Sequence, residues 1–152
     1  MQTLNKLFAT AFGLGYLPKA PGTFGTLAGV LLFYATHDLS LINYSIFVIV
    51  FIVFAIWVAD GARTTFNSED PKQVVIDEVA GFLVTMIGHS WDLRTVIAGF
   101  VLFRIFDILK PFPCGLFDKK LKGGLGIVMD DVMAGVYANV GVFVIGYLIS
   151  LL

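Results

Sequence analysis

The chain has 152 residues, 58% of them hydrophobic and only 14% charged, with a formal net charge of −1. Soluble domains carry about 25% charged residues, and a chain this short buries only about two-thirds of what it exposes when unfolded. The composition therefore excludes an ordinary soluble globule and a disordered tail, and the near-neutral balance excludes a basic face for wrapping nucleic acid.

Met1–Leu17 holds Lys6 and a few apolar residues, without a continuous apolar core before a small-residue cleavage site. No removable signal peptide is expected from it. Pro18–Gly25 reads as a structured turn. The apolar stretch Phe24–Thr36 covers only about 20 Å as a helix, against about 30 Å of hydrocarbon. It must borrow residues as far as Leu41, or be re-entrant. Asn43–Ala59 is the clearest spanning segment, and Asp60–Lys72 is a polar connection. Val79–Ile108 is interrupted by Gly88-His89-Ser90-Trp91-Asp92, which predicts a helix of about ten residues, a turn, and a second helix from Leu93 to Lys110. Pro111–Gly126 is a Pro/Gly/Lys loop, and Val132–Leu152 is long enough to span alone. The expected fold is all-α: a polytopic membrane helical bundle with short or re-entrant helices, in one domain over residues 1–152. The lone Cys114 excludes an intramolecular disulfide and a cysteine-based zinc cluster.

With alternating segments, Lys6, Lys19, Arg63, Lys72, Lys110, Lys119, Lys120 and Lys122 fall on one side, and Arg94, His37 and His89 on the other. The positive-inside rule makes the first side cytoplasmic.

Ionisable residues beside membrane segments are costly and usually functional. Asp77-Glu78 is expected to open the third region and Asp130-Asp131 the fourth, each pair followed by a glycine three or four residues on. One acid at a helix start serves as a cap. Two adjacent acids repel unless a cation sits between them, and carboxylate clusters suit hard cations. Arg104, Asp107 and Lys110 are three apart, hence along one helix flank. They form either an ion-pair ladder, or a third metal carboxylate beside two phosphate-binding cations, for which arginine offers a donor fork. Lys19-Ala20-Pro21-Gly22-Thr23-Phe24-Gly25-Thr26 lets backbone approach an anion at a helix start, or is simply a Pro-Gly turn. Asp60, followed by Arg63, is either a further acid of the site or half of an exposed helix-terminal pair. Asp38, Glu69, Asp70, Asp92 and Asp118 read as solvated loop acids. Gly81, Ala98-Gly99, Ala134-Gly135, Ala138 and Gly141 are packing residues that let helices approach. No arginine follows Cys114, so a cysteine phosphatase is excluded, and the histidines lie on the wrong side for a serine–histidine–acid set.

Four segments carry a resemblance: Pro21-Gly22-Thr23-Phe24-Gly25-Thr26, Asp77-Glu78-Val79-Ala80-Gly81, Phe103-Arg104-x-Phe106-Asp107-x-x-Lys110-Pro111-x-Pro113, and Gly126-x-x-x-Asp130-Asp131-x-x-Ala134-Gly135. In this order the chain resembles the phosphatidylglycerophosphatase A family. The resemblance implies a bacterial inner-membrane, multi-pass enzyme that needs Mg²⁺ and dephosphorylates phosphatidylglycerophosphate, a membrane phospholipid, on the cytoplasmic face. It implies metal ligands among Asp77, Glu78, Asp107, Asp130 and Asp131, with Glu78, Asp107, Asp130 and Asp131 also candidates for the chemistry. Arg104, Lys110, Lys19, Gly22, Thr23 and Thr26 would then meet the phosphate, and Asp60 is a candidate extra acid. Attack by water or by an aspartate both remain open, and no obligatory protein partner is expected. The competing class is a small ion or proton transporter subunit with the acids as a relay. Such relays thread acids through the membrane depth, whereas here they gather at one interface.

Overall fold

The structure is a computed structural model, and it describes residues 2–112, 114 and 121–151. Pro113, Asp118, Lys119 and Lys120, singled out above, lie outside the described residues. The described residues form an all-helical bundle without strands: α1 (Gln2–Ala9), α2 (Pro21–Thr36), α3 (Leu41–Phe66), α4 (Ile76–Thr85), α5 (Leu93–Leu109) and α6 (Gly124–Ser150). A 3₁₀ turn at Leu14–Tyr16 joins α1 to α2.

Among the described residues, two helices are long and apolar enough to cross a membrane, α3 with 26 residues and α6 with 27. Both start earlier or end later than the apolar pattern alone suggests. α3 runs through Asp60 and Arg63 and stops where Asn67 turns left-handed at φ 51°. α6 begins at Gly124, so Asp130 and Asp131 sit in its second turn rather than at its start. The expectation of an acidic helix start therefore holds for α4, where Asp77 and Glu78 occupy the first turn, and fails for α6. α2 gains length at its front, with Pro21 at the first helical position, where a missing N–H costs nothing. It ends at Thr36, short of Leu41.

The ten-residue α4 is about 15 Å long and packs against α2, α3, α5 and α6. All its residues from Val79 to Thr85 are buried. A helix end at that depth needs partners for its carbonyls. Tyr44 Oη donates to the Leu83 carbonyl at 2.9 Å, and Asn139 Nδ2 donates to those of Thr85 and Ile87 at 2.9 and 2.7 Å.

Glycines set how closely α4 is held. A side chain at Gly25 would meet Val75 Cβ at 2.8 Å, and one at Gly29 would meet Phe82 Cβ at 3.0 Å, so α2 lies tight on α4. On the opposite side α4 crosses α6 backbone to backbone. A Cβ at Gly135 would strike the Gly81 carbonyl, and a Cβ at Gly81 would come within 2.6 Å of the Asp131 carbonyl.

Candidate functional site

That glycine crossing places the acids. Asp77 and Glu78 lie one turn before Gly81, and Asp131 lies one turn before Gly135, so closing the crossing brings the carboxylates together. Asp77, Glu78 and Asp131 each offer an oxygen within 4.8 Å of the others. Asp77 Oδ1, Glu78 Oε2 and Asp131 Oδ2 are shut off from solvent and meet no hydrogen-bond donor among the described residues. Buried carboxylate oxygens without donors are costly and repel one another. A hard cation resolves both penalties, and an all-oxygen donor set suits Mg²⁺.

The acids floor a cavity of about 570 Å³ whose walls include Lys19, Gly22, Thr23, Arg104, Asp107, Lys110 and Asp130. Arg104 Nη1 donates to Asp107 Oδ2 at 2.5 Å, with both side chains largely buried. Asp107 lines the same cavity as Asp131. Lys110 does not continue the α5 flank. It caps the helix in the left-handed region at φ 45° and pairs with Asp130. The three-residue spacing therefore forms one rung, Arg104–Asp107, and the next cation crosses to α6. Gly22 is where α2 touches the site, since a Cβ there would meet Glu78 Oε1 and approach Arg104 Nη1 to 2.8 Å.

Two of the residues expected at the site stand elsewhere. Thr26 is fully buried and its hydroxyl donates to the Gly22 carbonyl at 2.9 Å, so it serves the helix rather than the cavity. Asp60 is 62% exposed and bonds Arg63 and the Gly124 amide, so it pairs within α3 and ties that helix to the start of α6 instead of joining the cavity. Conversely, Asp70 and Lys72 on the α3–α4 connection line the cavity. A loop position carries no periodicity to mark it, and only tertiary packing could reveal this.

At the other end of the bundle, His37, Asp38, His89 and Trp91 line a separate cavity. Burial there pushes the His89 imidazole below its usual range. Asp77, Glu78, Asp107, Asp130 and Asp131, by contrast, gather at one cavity rather than threading through the depth.

A sequence profile of the phosphatidylglycerophosphatase A family matches residues 7–146. The chain belongs to this family. It is 40% identical to phosphatidylglycerophosphatase A of Haemophilus influenzae over 93% of this chain and 88% of that protein. It is 35% identical to phosphatidylglycerophosphatase A of Escherichia coli, over 93% and 83%. A Bacteroides thetaiotaomicron protein, 37% identical over 97% and 96%, is named provisionally as a phosphatidylinositol-3-phosphatase. No solved structure matches the chain.

Proposed function

We propose that the chain removes the terminal phosphate of phosphatidylglycerophosphate, giving phosphatidylglycerol and inorganic phosphate, and that it needs Mg²⁺ to do so. It is a phosphoric monoester hydrolase of the phosphatidylglycerophosphatase A family. The observation that carries the substrate and metal reading is the juxtaposition of three donor-starved carboxylates with a paired guanidinium in one cavity of an apolar bundle.

Asp77, Glu78 and Asp131 would hold the cation, with Asp107 and Asp130 able to extend the set. Mg²⁺, when bound, supplies a local positive charge that neutralises phosphoryl oxygens and acidifies water. Arg104, oriented by Asp107, offers its fork of donors to the equatorial phosphate oxygens, where charge accumulates. Lys110, steered by Asp130, adds a second positive charge. Gly22 and Thr23 bring the start of α2 and its dipole toward the anion. A carboxylate not spent on the cation takes the proton of the attacking water.

The acyl chains stay in the bilayer while the head group reaches the acids. The chain crosses a bacterial inner membrane more than once, with the cavity on the cytoplasmic side. The lysine and arginine distribution supports that orientation.

Purified protein in detergent should release phosphate from phosphatidylglycerophosphate with Mg²⁺ and stop when the metal is chelated. Release that ignores chelation would remove the metal from the reading, and no release at all would remove the reaction.

A further inference from the structure

We propose that the cavity holds two anion sites, and that Lys72, together with Lys19, forms the outer one. This outer site takes the phosphodiester that joins a head group to its diacylglycerol, while the carboxylate floor and Arg104 take the terminal phosphomonoester. The inference rests on the proposed function and deepens it by naming the residues that meet the second phosphate of that substrate.

The geometry begins with Gly15. A Cβ at that position would strike the Gln73 carbonyl and lie 2.9 Å from its carbon. The turn that leads into Lys19 is thus packed backbone to backbone on the turn that carries Lys72. The second turn is pinned in its own right. Val74 N donates to the Pro71 carbonyl and Val75 N to the Ala9 carbonyl, both at 2.9 Å, and Pro71, Val74 and Val75 are buried. Lys19 sits at φ 78°, a left-handed geometry that costs energy for a residue with a side chain. Two lysines far apart in sequence are therefore held on neighbouring turns, and both line the cavity.

Their environment differs from that of the inner cations. Arg104 and Lys110 each pair with a carboxylate. Lys19 and Lys72 make no ion pair among the described residues, and both are exposed. Asp70 is the acid on that rim, and it too is solvated. The floor of the cavity is rich in carboxylates and its mouth carries lysine charge. A bare phosphomonoester needs only the floor. Cations at the mouth are placed for a second anionic group further along the same molecule, and the phosphodiester of the proposed substrate is such a group.

The test uses the full-length protein with Mg²⁺ in neutral detergent micelles, so that no other anionic lipid can occupy the lysines. Lys72→Gln and Lys19→Gln are compared with Lys122→Gln, an exposed lysine outside the cavity. Solvent-exposed charge pairs are modest, so each rim variant should raise KM for phosphatidylglycerophosphate about fivefold and leave kcat within about twofold. Inhibition by phosphatidylglycerol, which keeps only the phosphodiester, should weaken by the same factor. Inhibition by inorganic phosphate, which needs only the floor, should not change. Lys72→Arg should restore KM, and Lys122→Gln should do nothing. An unchanged KM, an equal weakening of phosphate inhibition, or a matching effect of Lys122→Gln would overturn the outer site while wild-type turnover still upheld the proposed function. A wild-type protein that releases no phosphate overturns both.

Discussion

Asp60 Oδ1 accepts a hydrogen bond from the Gly124 amide at 3.0 Å, tying the end of α3 to the first turn of α6 across 64 positions of sequence. The residue before α6, Gly123, has no side chain to cap the helix, so Asp60 does it from another element. Asp60→Ala should lower stability by about 1 kcal/mol, the usual cost of losing a cap. It should leave kcat and the Mg²⁺ requirement of the folded protein unchanged. Thermal melts and Mg²⁺ titrations check this, and a raised Mg²⁺ requirement would return Asp60 to the site.

The buried carboxylates predict a metal-dependent melt. A cation that binds only the folded state raises its melting temperature with concentration. Wild-type protein should melt higher as Mg²⁺ is added, and Asp131→Asn should lose both this shift and turnover. Without Mg²⁺ the variant should melt no lower than wild type, because it relieves repulsion in a crowded set of acids. Asp77→Asn and Glu78→Gln should behave alike. Normal turnover in all three would dismiss the metal assignment.

Arg104 and Asp107 can be separated by their dependence on the metal. Arg104→Lys keeps the charge but loses the fork. It should cut turnover about 10²–10³-fold, as loss of one charge-stabilising donor does, with the Mg²⁺ midpoint unchanged. Asp107→Asn should also raise that midpoint, since its carboxylate lines the same cavity as the three clustered acids. If both variants instead lose only stability, with strong coupling in the double variant, the pair is a structural ladder.

Glycine substitutions distinguish the site from the crossing that builds it. Gly22→Ala places a methyl against the mobile ends of Glu78 and Arg104, so the fold should survive while turnover falls at least about 10²-fold. Gly81→Ala drives a methyl at the backbone carbonyl of Asp131 and at Phe103. Overpacking of that kind costs about 1–3 kcal/mol, so it should lower the melting temperature as well. A Gly22→Ala protein with full activity would mean that α2 does not border the reacting phosphate.

Orientation follows from labelling. In a Cys114→Ala background, single cysteines at Ser68 and Lys122 should resist an impermeant thiol reagent in intact cells, and one at Ser90 should react. These positions are exposed. Gly123 is avoided, because a Cβ there would come within 2.7 Å of Asp60 Oδ1. The reverse pattern would turn the acids away from the cytoplasm.

The fold class and the chemically expensive residues are legible in local sequence pattern. Apolar runs interrupted by Gly88–Asp92 are enough to place a short helix, a turn and a longer helix, because helix length and hydrophobicity are local quantities. Acids beside such runs stand out for the same reason, which is why Asp77, Glu78, Asp107, Asp130 and Asp131 could be singled out without coordinates. Which partner each acid meets depends on packing between helices. Asp131 joins Asp77 and Glu78 because Gly81 and Gly135 let α4 and α6 touch. Asp130, one residue earlier on α6, pairs with Lys110 instead. Nothing local separates Asp60 from a site acid; its bond to the Gly124 amide does. Thr26 reads locally as part of a phosphate-binding turn, but α2 begins at Pro21, which turns the hydroxyl onto the helix's own Gly22 carbonyl. Lys72 gives no local sign of a place at the cavity, since that place depends on a glycine contact more than fifty residues away. Local pattern reports the cost of a charge, but only packing reports which partner offsets it.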